Sequence, residues 1–395
     1  MTPDPQLPPP LDPPARILLG PGPSNVSPRV LAALAKPTLG HLDPAYLEIM
    51  DRISAMLRRI FRTENRLTLP VSGTGTAGME AAVVNLIEPG ERMIVGVIGY
   101  FGDRMLEIAR RAGADVYAVE VPWGETLAPR QIAEALDRHP GTKVVGVVHA
   151  ETSTGAEQPL DEISAIVHDA GALLVVDAVA SLGGIDVRVD DQRIDACYSG
   201  SQKCLSGPPG LAPVTFSPAA VEAILNRATP VRSWYLDMSL IQGYWGGSRS
   251  YHHTAPINMT YALYEALAVI LEEGLDQRLA RHQLSHRALR AGLEALGLRY
   301  VSSRPLAVLN AVAVPEGVDD QRVRRRLLAE YGIEVGAGLG PFAGKVWRIG
   351  IMGESCRRQN VILVLAALEA LLADEGVPVD RGAALAAANA VYEGA

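Results

Sequence analysis

Between Leu67 and Phe216 the chain alternates short unbroken apolar runs with stretches whose apolar residues recur at helical spacing. LTLPV, MIVGVIG, VYAVEV, KVVGVVHAETSTG, ALLVVD, IDACYSG and LAPVTFS read as strands, and helices are expected around Asp103 to Arg111 and over Pro129 to Arg138. Strands without polar alternation, separated by helices, imply a mostly parallel sheet covered on both faces. The expected architecture is an open α/β domain whose loops at one edge carry the chemistry. Upstream, Ser27 as N-cap and Pro28 at the first helical position begin one helix, and a second runs from about Pro44 to Phe61. Beyond Pro230 the text is irregular, with SWYLDMS and GYWGG, until SYHHTAPINMTYALYEALAVILEEGL opens a long amphipathic helix. From Leu284 helices alternate with the short strands RPLAVLNAVAVP, IEVGAGL and KVWRIGIMG, an α+β layer. The expected organisation is an N-terminal arm over 1–22, its proline-rich first part extended or disordered, a large domain over 23–280 and a small C-terminal domain over 281–395.

Composition adds exclusions. A chain of 395 residues, 48% hydrophobic, can bury one large core and a smaller one. A formal charge of -8 with no basic run argues against nucleic acid and anionic membrane surfaces. No apolar run is long enough to span a bilayer, and MTPDPQLPPPLDPP lacks the basic start and apolar stretch of an export signal, so a cytoplasmic location is expected. Cys197, Cys204 and Cys356 show no metal or disulfide spacing. Cys204 reads as a small apolar filler. His252 and His253 invite a metal, but no third ligand stands at suitable spacing.

Lys203 is the residue the chain is organised around. Lys36, Lys143, Lys203 and Lys345 are its only lysines, although arginine is abundant, so an amine is rarely placed where any cation would serve. Lys203 stands in SGSQKCLSGPPG, between an apolar strand and a Gly-Pro turn; a lysine held off water there loses its proton more readily and attacks carbonyl carbon. Asp177 closes the apolar run ALLVVD, where a carboxylate is costly without a cation or strong donor. SGTGTAGMEAAVV is a strand, a glycine turn and a helix start. It forms a phosphate cradle from backbone amides with hydroxyls of Ser72, Thr74 and Thr76. Gly73, Gly75 and Gly78 also satisfy GxGxxG, but the acidic residue a dinucleotide needs at the next strand end is replaced by Tyr100 and Phe101. Arg348 interrupts VWRIGI; such a guanidinium either awaits an anion or pairs internally, Glu354 being the nearest carboxylate on its loop. Together these are the parts pyridoxal phosphate needs: an amine for its aldehyde, a carboxylate for its pyridine nitrogen, an aromatic face and a phosphate cradle. A nicotinamide oxidoreductase would leave Lys203 and Asp177 unexplained, and a non-catalytic binding protein on the same fold could drop the lysine.

GPGPSNV, SGTGTAG, HAETSTG, VVDAVASLGG, SGSQKCLSGPPG, YHHT and KVWRIGIMG, in this order from Leu18 to about Leu372, resemble the class V, fold type I aminotransferases of the alanine-glyoxylate and serine-pyruvate branch. The resemblance implies a large domain with a mostly parallel seven-stranded sheet flanked by helices, a smaller α+β domain, pyridoxal phosphate as cofactor, and an obligate homodimer. It assigns Lys203 to the aldehyde and to proton transfer, and Asp177 to the pyridine nitrogen. Thr152 falls beside the phenolic oxygen and Phe101, where the branch often has tryptophan, on the ring stack. Thr74, Gly75, Thr76 and Gln202 fall on the phosphate, joined by Tyr251 and Thr254 of a neighbouring subunit. Arg348 matches the residue that grips the substrate carboxylate, and Gly22, His41 and Tyr251 fall on the substrate side. WYLDMSLIQGYW and GKVWRIGIMGESCRRQNV are also similar to ureidoglycine-glyoxylate aminotransferases, in which a glutamine and an asparagine stand where this chain has His41 and Tyr251. The expected reaction is transfer of an amino group from alanine or serine to glyoxylate or pyruvate, with ureidoglycine as the alternative donor.

Overall fold

The structure, a computed structural model, describes residues 10–395; the beginning of the expected proline-rich arm lies outside the described residues. The chain enters through β1 (Ile17–Leu18), then α1 (Pro28–Leu34) and α2 (Pro44–Phe61). Ser27 Oγ accepts from the Val30 amide at 3.4 Å and Asp43 from that of Ala45 at 2.8 Å, and Pro at the first helical position preorganises both starts. The alternating region follows: β2 (Leu67–Ser72), α3 (Gly75–Leu86), β3 (Arg92–Val97), α4 (Tyr100–Ala112), β4 (Asp115–Glu120), α5 (Pro129–Arg138) and β5 (Thr142–Val148). Next come a ribbon of β6 (Ala150–Glu151) and β7 (Ala156–Glu157), α6 (Asp161–Asp169), β8 (Leu173–Asp177), β9 (Ala196–Tyr198), β10 (Leu211–Phe216) and α7 (Pro218–Leu225).

Seven of these strands form one sheet in the order β2-β10-β9-β8-β5-β3-β4. Its inner strands are parallel, and β10 alone runs antiparallel, to both β2 and β9. Ile94, Val95, Val145, Leu174 and Val175 are fully buried, as strands covered on both faces require. The order leaves β3 towards β4 on one side and β5 on the other, a switch point at which the carboxyl ends of β3, β5, β8 and β9 open a crevice.

The remainder comprises α8 (Met238–Trp245), α9 (Ile257–Glu273), α10 (Leu275–Ala295), β11 (Leu309–Ala313), α11 (Asp320–Tyr331), β12 (Ile333–Glu334), β13 (Gly336–Ala337), β14 (Val346–Gly350), α12 (Arg358–Asp374) and α13 (Ala383–Glu393). A second core gathers Trp347, Ile349, Leu365 and Leu368 around β14 and α12. A smaller apolar cluster, with Ala150, Ala180, Cys204, Val308, Leu309 and Met352, lies between the crevice loops and this layer. Among the described residues no helix is long and apolar enough to cross a membrane.

Three local expectations change. The segment after Pro230, expected to be irregular, contains α8, whose Met238, Ile241, Tyr244 and Trp245 bury one face. Its helical spacing was masked by flanking glycines and aromatics. The expected long helix breaks at Gly274, whose φ of 86° ends α9 and starts α10. The run KVVGVVHAETSTG stops being a strand at Val148, and Glu151 to Gly155 make a turn closed by the Gly155 amide on Glu151 O at 2.9 Å.

Asn85 holds α8 in place: its side chain donates to Leu236 O and accepts from the Met238 amide, at 2.7 and 2.8 Å, with the residue fully buried. Asn85→Ala strands both backbone groups and is expected to cost about 2–3 kcal/mol, read as a lower chemical denaturation midpoint. An unchanged midpoint would show that water replaces the amide.

Candidate active site

The crevice is a cavity of about 330 Å³ lined by Thr74, Gly75, Thr76, Phe101, Thr152, Asp177, Gln202 and Lys203, eight of the residues singled out in the sequence. They come from five segments at the carboxyl edge of the sheet, the turn from β2 into α3, the first turn of α4, the turn after β6, the end of β8 and the turns after β9, which is why positions scattered over some 130 residues converge.

Lys203 lies in the turns after β9. The turn is pinned on two sides: Ser24 Oγ donates to Lys203 O and the Ser24 amide to Gln202 O, both at 2.8 Å, while Arg278 donates to Cys204 O at 2.8 Å. The Lys203 ammonium meets a carbonyl, Pro21 O, rather than a carboxylate. Burial pulls its pKa down to about 8, and the positive charges of Arg348 and Arg104 push the same way. Gly22 packs against this amine with φ +105°, and a Cβ there would collide with the lysine side chain. Cys204 is the expected filler: fully buried, its Sγ donates to Ala180 O at 3.1 Å, and burial pushes its thiol up to about 12.

Asp177 ends β8, and 3% of it is exposed. One oxygen accepts from the Val179 amide at 2.8 Å and the other from the Tyr198 hydroxyl at 3.1 Å. Burial outweighs both bonds and the unbonded positive charges of Lys203 and Arg104, and lifts its pKa to about 6.

Arg348, on β14, donates to Ala337 O at 2.6 Å and to Thr152 O at 3.1 Å. The internal pairing weighed for it with Glu354 does not form, because Glu354 turns to Arg357. Burial brings Arg348 down to about 10, opposed by Glu151, so it stays charged at neutral pH with carbonyls as its only bonded partners among the described residues.

His41, Tyr251 and Thr254 do not line the cavity. They meet one another instead: the His41 and Tyr251 rings lie 4.9 Å apart, Tyr251 Oη is 3.4 Å from Thr254 Oγ1, and Tyr251 is 57% exposed. Ser72, expected to lend its hydroxyl to the cradle, spends it on His253 Nε2 at 2.9 Å. His252 uses its other nitrogen on Trp234 O at 3.1 Å, and the two histidines face each other through Nδ1 atoms 2.6 Å apart.

Two residues escaped the sequence reading. Arg104 lines the cavity three positions after Phe101, a spacing that places both on one helix face and could have revealed it. Glu151, fully buried and lifted to about 7 by burial, accepts from the Phe101 and Ser153 amides, each at 3.0 Å. Ser153 Oγ in turn accepts from the Tyr100 amide at 2.9 Å. Helix α4 starts at Gly99, which has no capping side chain, and is capped from this turn instead. Glu151 was legible only as the neighbour of Thr152.

Pyridoxal phosphate fits this donor set. At the start of α3 the amides of Gly75 and Thr76 have no helical partner, and Thr74 makes no capping bond of its own. A Cβ on Gly75 would press on Val179 at 3.0 Å, so glycine keeps the cradle open. Gln202 Oε1 is buried without a hydrogen-bond partner, an amide left to serve a ligand.

The family described as aminotransferase class-V matches residues 18–349. The chain is 42% identical over 402 residues to (S)-ureidoglycine–glyoxylate transaminase of Bacillus subtilis (strain 168), covering 97% of this chain and 96% of that protein. The solved ureidoglycine-glyoxylate aminotransferase from Bacillus subtilis superposes with a TM-score of 0.95 at 43% identity, covering 97% of this chain and all (100%) of that one. The solved alanine–glyoxylate aminotransferase from Nostoc sp. superposes with a TM-score of 0.91 at 49% identity, covering 93% and 97%.

An amine with a pKa of about 8 is half neutral there, against an ordinary lysine near 10.5. In protein freed of any bound aldehyde, borohydride trapping of a small neutral aldehyde on Lys203, followed by peptide mass spectrometry, is therefore expected to rise with pH through a midpoint near 8. A midpoint above about 10 would mean that Lys203 is solvated like any surface lysine.

Proposed function

The chain belongs to the class-V aminotransferases and is a pyridoxal-phosphate-dependent transaminase; we propose that it moves the amino group of alanine or serine to glyoxylate, or to pyruvate, in two successive half-reactions at one site. The observation that carries the chemistry is one cavity holding a near-neutral amine, Lys203, and a buried carboxylate, Asp177, with no bond between them. When bound, the cofactor supplies an aldehyde that takes up the amino group and a ring that accepts the electron pair left at the donor's α-carbon.

The residues divide the remaining work. Lys203 takes the proton from the donor α-carbon and returns it in the reverse half, a task suited to a base whose pKa lies near the working pH. Asp177 would hold the pyridine nitrogen in its protonated form, and would itself be kept ionised by that pairing. Of the cavity's lining residues, Thr152 would face the phenolic oxygen, Phe101 would give the ring a flat face, and Thr74, Gly75, Thr76 and Gln202 would hold the phosphate. Arg348, charged and bonded only to carbonyls, grips the substrate carboxylate, and Gly22 leaves the space beside Lys203 that a substrate needs.

His41 and Tyr251 support a small donor: two rings fill space and offer few polar contacts, whereas a ureido group calls for several donors and acceptors. The absence of Tyr251 and Thr254 from the cavity lining of their own chain supports a homodimer in which these two residues of one chain complete the site of the other. Trp234, Tyr235, Leu240 and Tyr251, between 40% and 62% exposed, offer the apolar surface such a pairing would bury. A cytoplasmic location accords with three cysteines that are all buried and unpaired.

Arg348→Ala is expected to raise KM for both substrates by roughly 10- to 100-fold while cofactor content stays unchanged, because a carboxylate contact made throughout the reaction is uniform binding. Ordinary KM, or failure to hold the cofactor, would move Arg348 to a structural role. For the donor, the loss of visible absorbance of the loaded enzyme is followed with each amino compound in turn. Alanine or serine is expected to discharge it and ureidoglycine to do so poorly, with His41→Gln, Tyr251→Asn shifting the balance towards ureidoglycine. A wild-type preference for ureidoglycine would overturn the small-donor reading and leave the transaminase intact.

A further inference from the structure

The phosphate cradle has a gap in its electrostatics. Thr74, Gly75, Thr76 and Gln202 are all neutral, yet a phosphate monoester carries about -1.5 to -2 charges at neutral pH. Lys203 is reserved for the aldehyde, and Arg348 is anchored on Ala337 O and Thr152 O. One cation remains. Arg104, on α4, lines the cavity, is half-buried and donates from Nη1 to Thr76 Oγ1 at 2.9 Å. Its guanidinium carbon lies 4.9 Å from the centre of the Phe101 ring and 5.3 Å from that of Tyr100. Although the chain forms ion pairs with more than a dozen arginines, none of them involves Arg104 among the described residues. A partly desolvated guanidinium satisfied by one hydroxyl and two aromatic faces still has most of its five donors to give.

We propose that Arg104 is the cationic ligand of the cofactor phosphate, reaching it beside Thr76 and supplying the charge that the neutral cradle lacks. The inference rests on the pyridoxal phosphate reading of the cavity and deepens it. The planar fork of arginine suits phosphate better than a lysine point charge, and its aromatic neighbours keep the fork oriented before the ligand arrives. The same guanidinium then ties the ring platform, through Phe101, to the phosphate turn, through Thr76.

A merely structural brace for Phe101 would affect both the phosphorylated and the unphosphorylated cofactor, and this separates the two roles. Cofactor-free wild type, Arg104→Met and Arg104→Lys are titrated with pyridoxal 5′-phosphate and with pyridoxal, the Kd being read from visible absorbance and a Lys203→Ala control identifying the specific signal. In Arg104→Met the Kd for the phosphate ester is expected to rise roughly 10- to 100-fold, the worth of a charge-assisted bond, while that for pyridoxal changes by less than about threefold. Arg104→Lys should recover part of the loss. The wild-type advantage over Arg104→Met should narrow below pH about 6, where the ester takes up its second proton. Equal losses for both aldehydes, or no loss for either, would overturn the role of Arg104. A wild-type protein that gives no Lys203-dependent absorbance with either aldehyde would instead overturn the cofactor reading itself, and Arg104 with it.

Discussion

One amine and one carboxylate, lining the same cavity but not bonded to each other, set the terms for everything around them. A direct salt bridge between Lys203 and Asp177 would satisfy both charges and leave neither available. Instead Asp177 takes neutral donors, the Val179 amide and the Tyr198 hydroxyl, and Lys203 takes a carbonyl, Pro21 O. Burial then moves the carboxyl up to about 6 and the amine down to about 8. Each shift corresponds to roughly 3 kcal/mol of unrelieved desolvation of the charged form. A ligand that offers a cation to Asp177 and an electrophilic carbon to Lys203 relieves both penalties at once, which makes the pair a strong selector for such a ligand.

Holding that pair in place requires the second layer of the protein. Arg278, 3% exposed on α10, donates to Gly183 O and Cys204 O and pairs with Glu273, so the turn bearing Lys203 hangs on α10. His282, pulled down to about 3 by burial, stays neutral and accepts from the Gly353 amide at 2.9 Å, while Ser206 Oγ accepts from the Glu354 amide at 2.7 Å. Lys203 and the loop after β14, the strand of Arg348, are thereby fixed in one frame. The break at Gly274 is part of this device, because it re-aims α10 after α9 and so brings Arg278 against the lysine turn.

The opposite wall is built in the same way. Helix α4 carries Phe101 and Arg104 but cannot cap itself, and Glu151 and Ser153 close its first turn from the loop that also bears Thr152. Phe101, Arg104 and Thr152 are therefore held in one hydrogen-bonded frame. Gly155, with φ +73°, completes the turn where a Cβ would strike Ala311 at 2.6 Å, locking this wall to β11 of the small domain.

The sequence by itself determined the sheet, because unbroken valine and isoleucine runs separated by amphipathic helices have few other ways to bury both faces. It determined the residue kinds at the site as well, because a rare lysine, an aspartate ending an apolar strand and a glycine-hydroxyl turn are each costly or conspicuous in one dimension. Gly75, Thr76, Phe101, Thr152, Asp177, Gln202 and Lys203 all reach the cavity expected for them. Tertiary structure alone decided the rest. Whether Arg348 would pair internally depended on Glu354 being taken by Arg357, a choice of rotamer and loop. Ser72 left the cradle because His253, from a distant segment, folds onto it, and α8 declared itself only where Asn85 offered its backbone a partner. The roles open to Arg104 and Glu151 were hidden for a related reason, although helical spacing from Phe101 and adjacency to Thr152 pointed at their positions: a charged residue on a helix or in a loop reads as solvated until the packing around it shows which charges have been given a partner and which have been left one short.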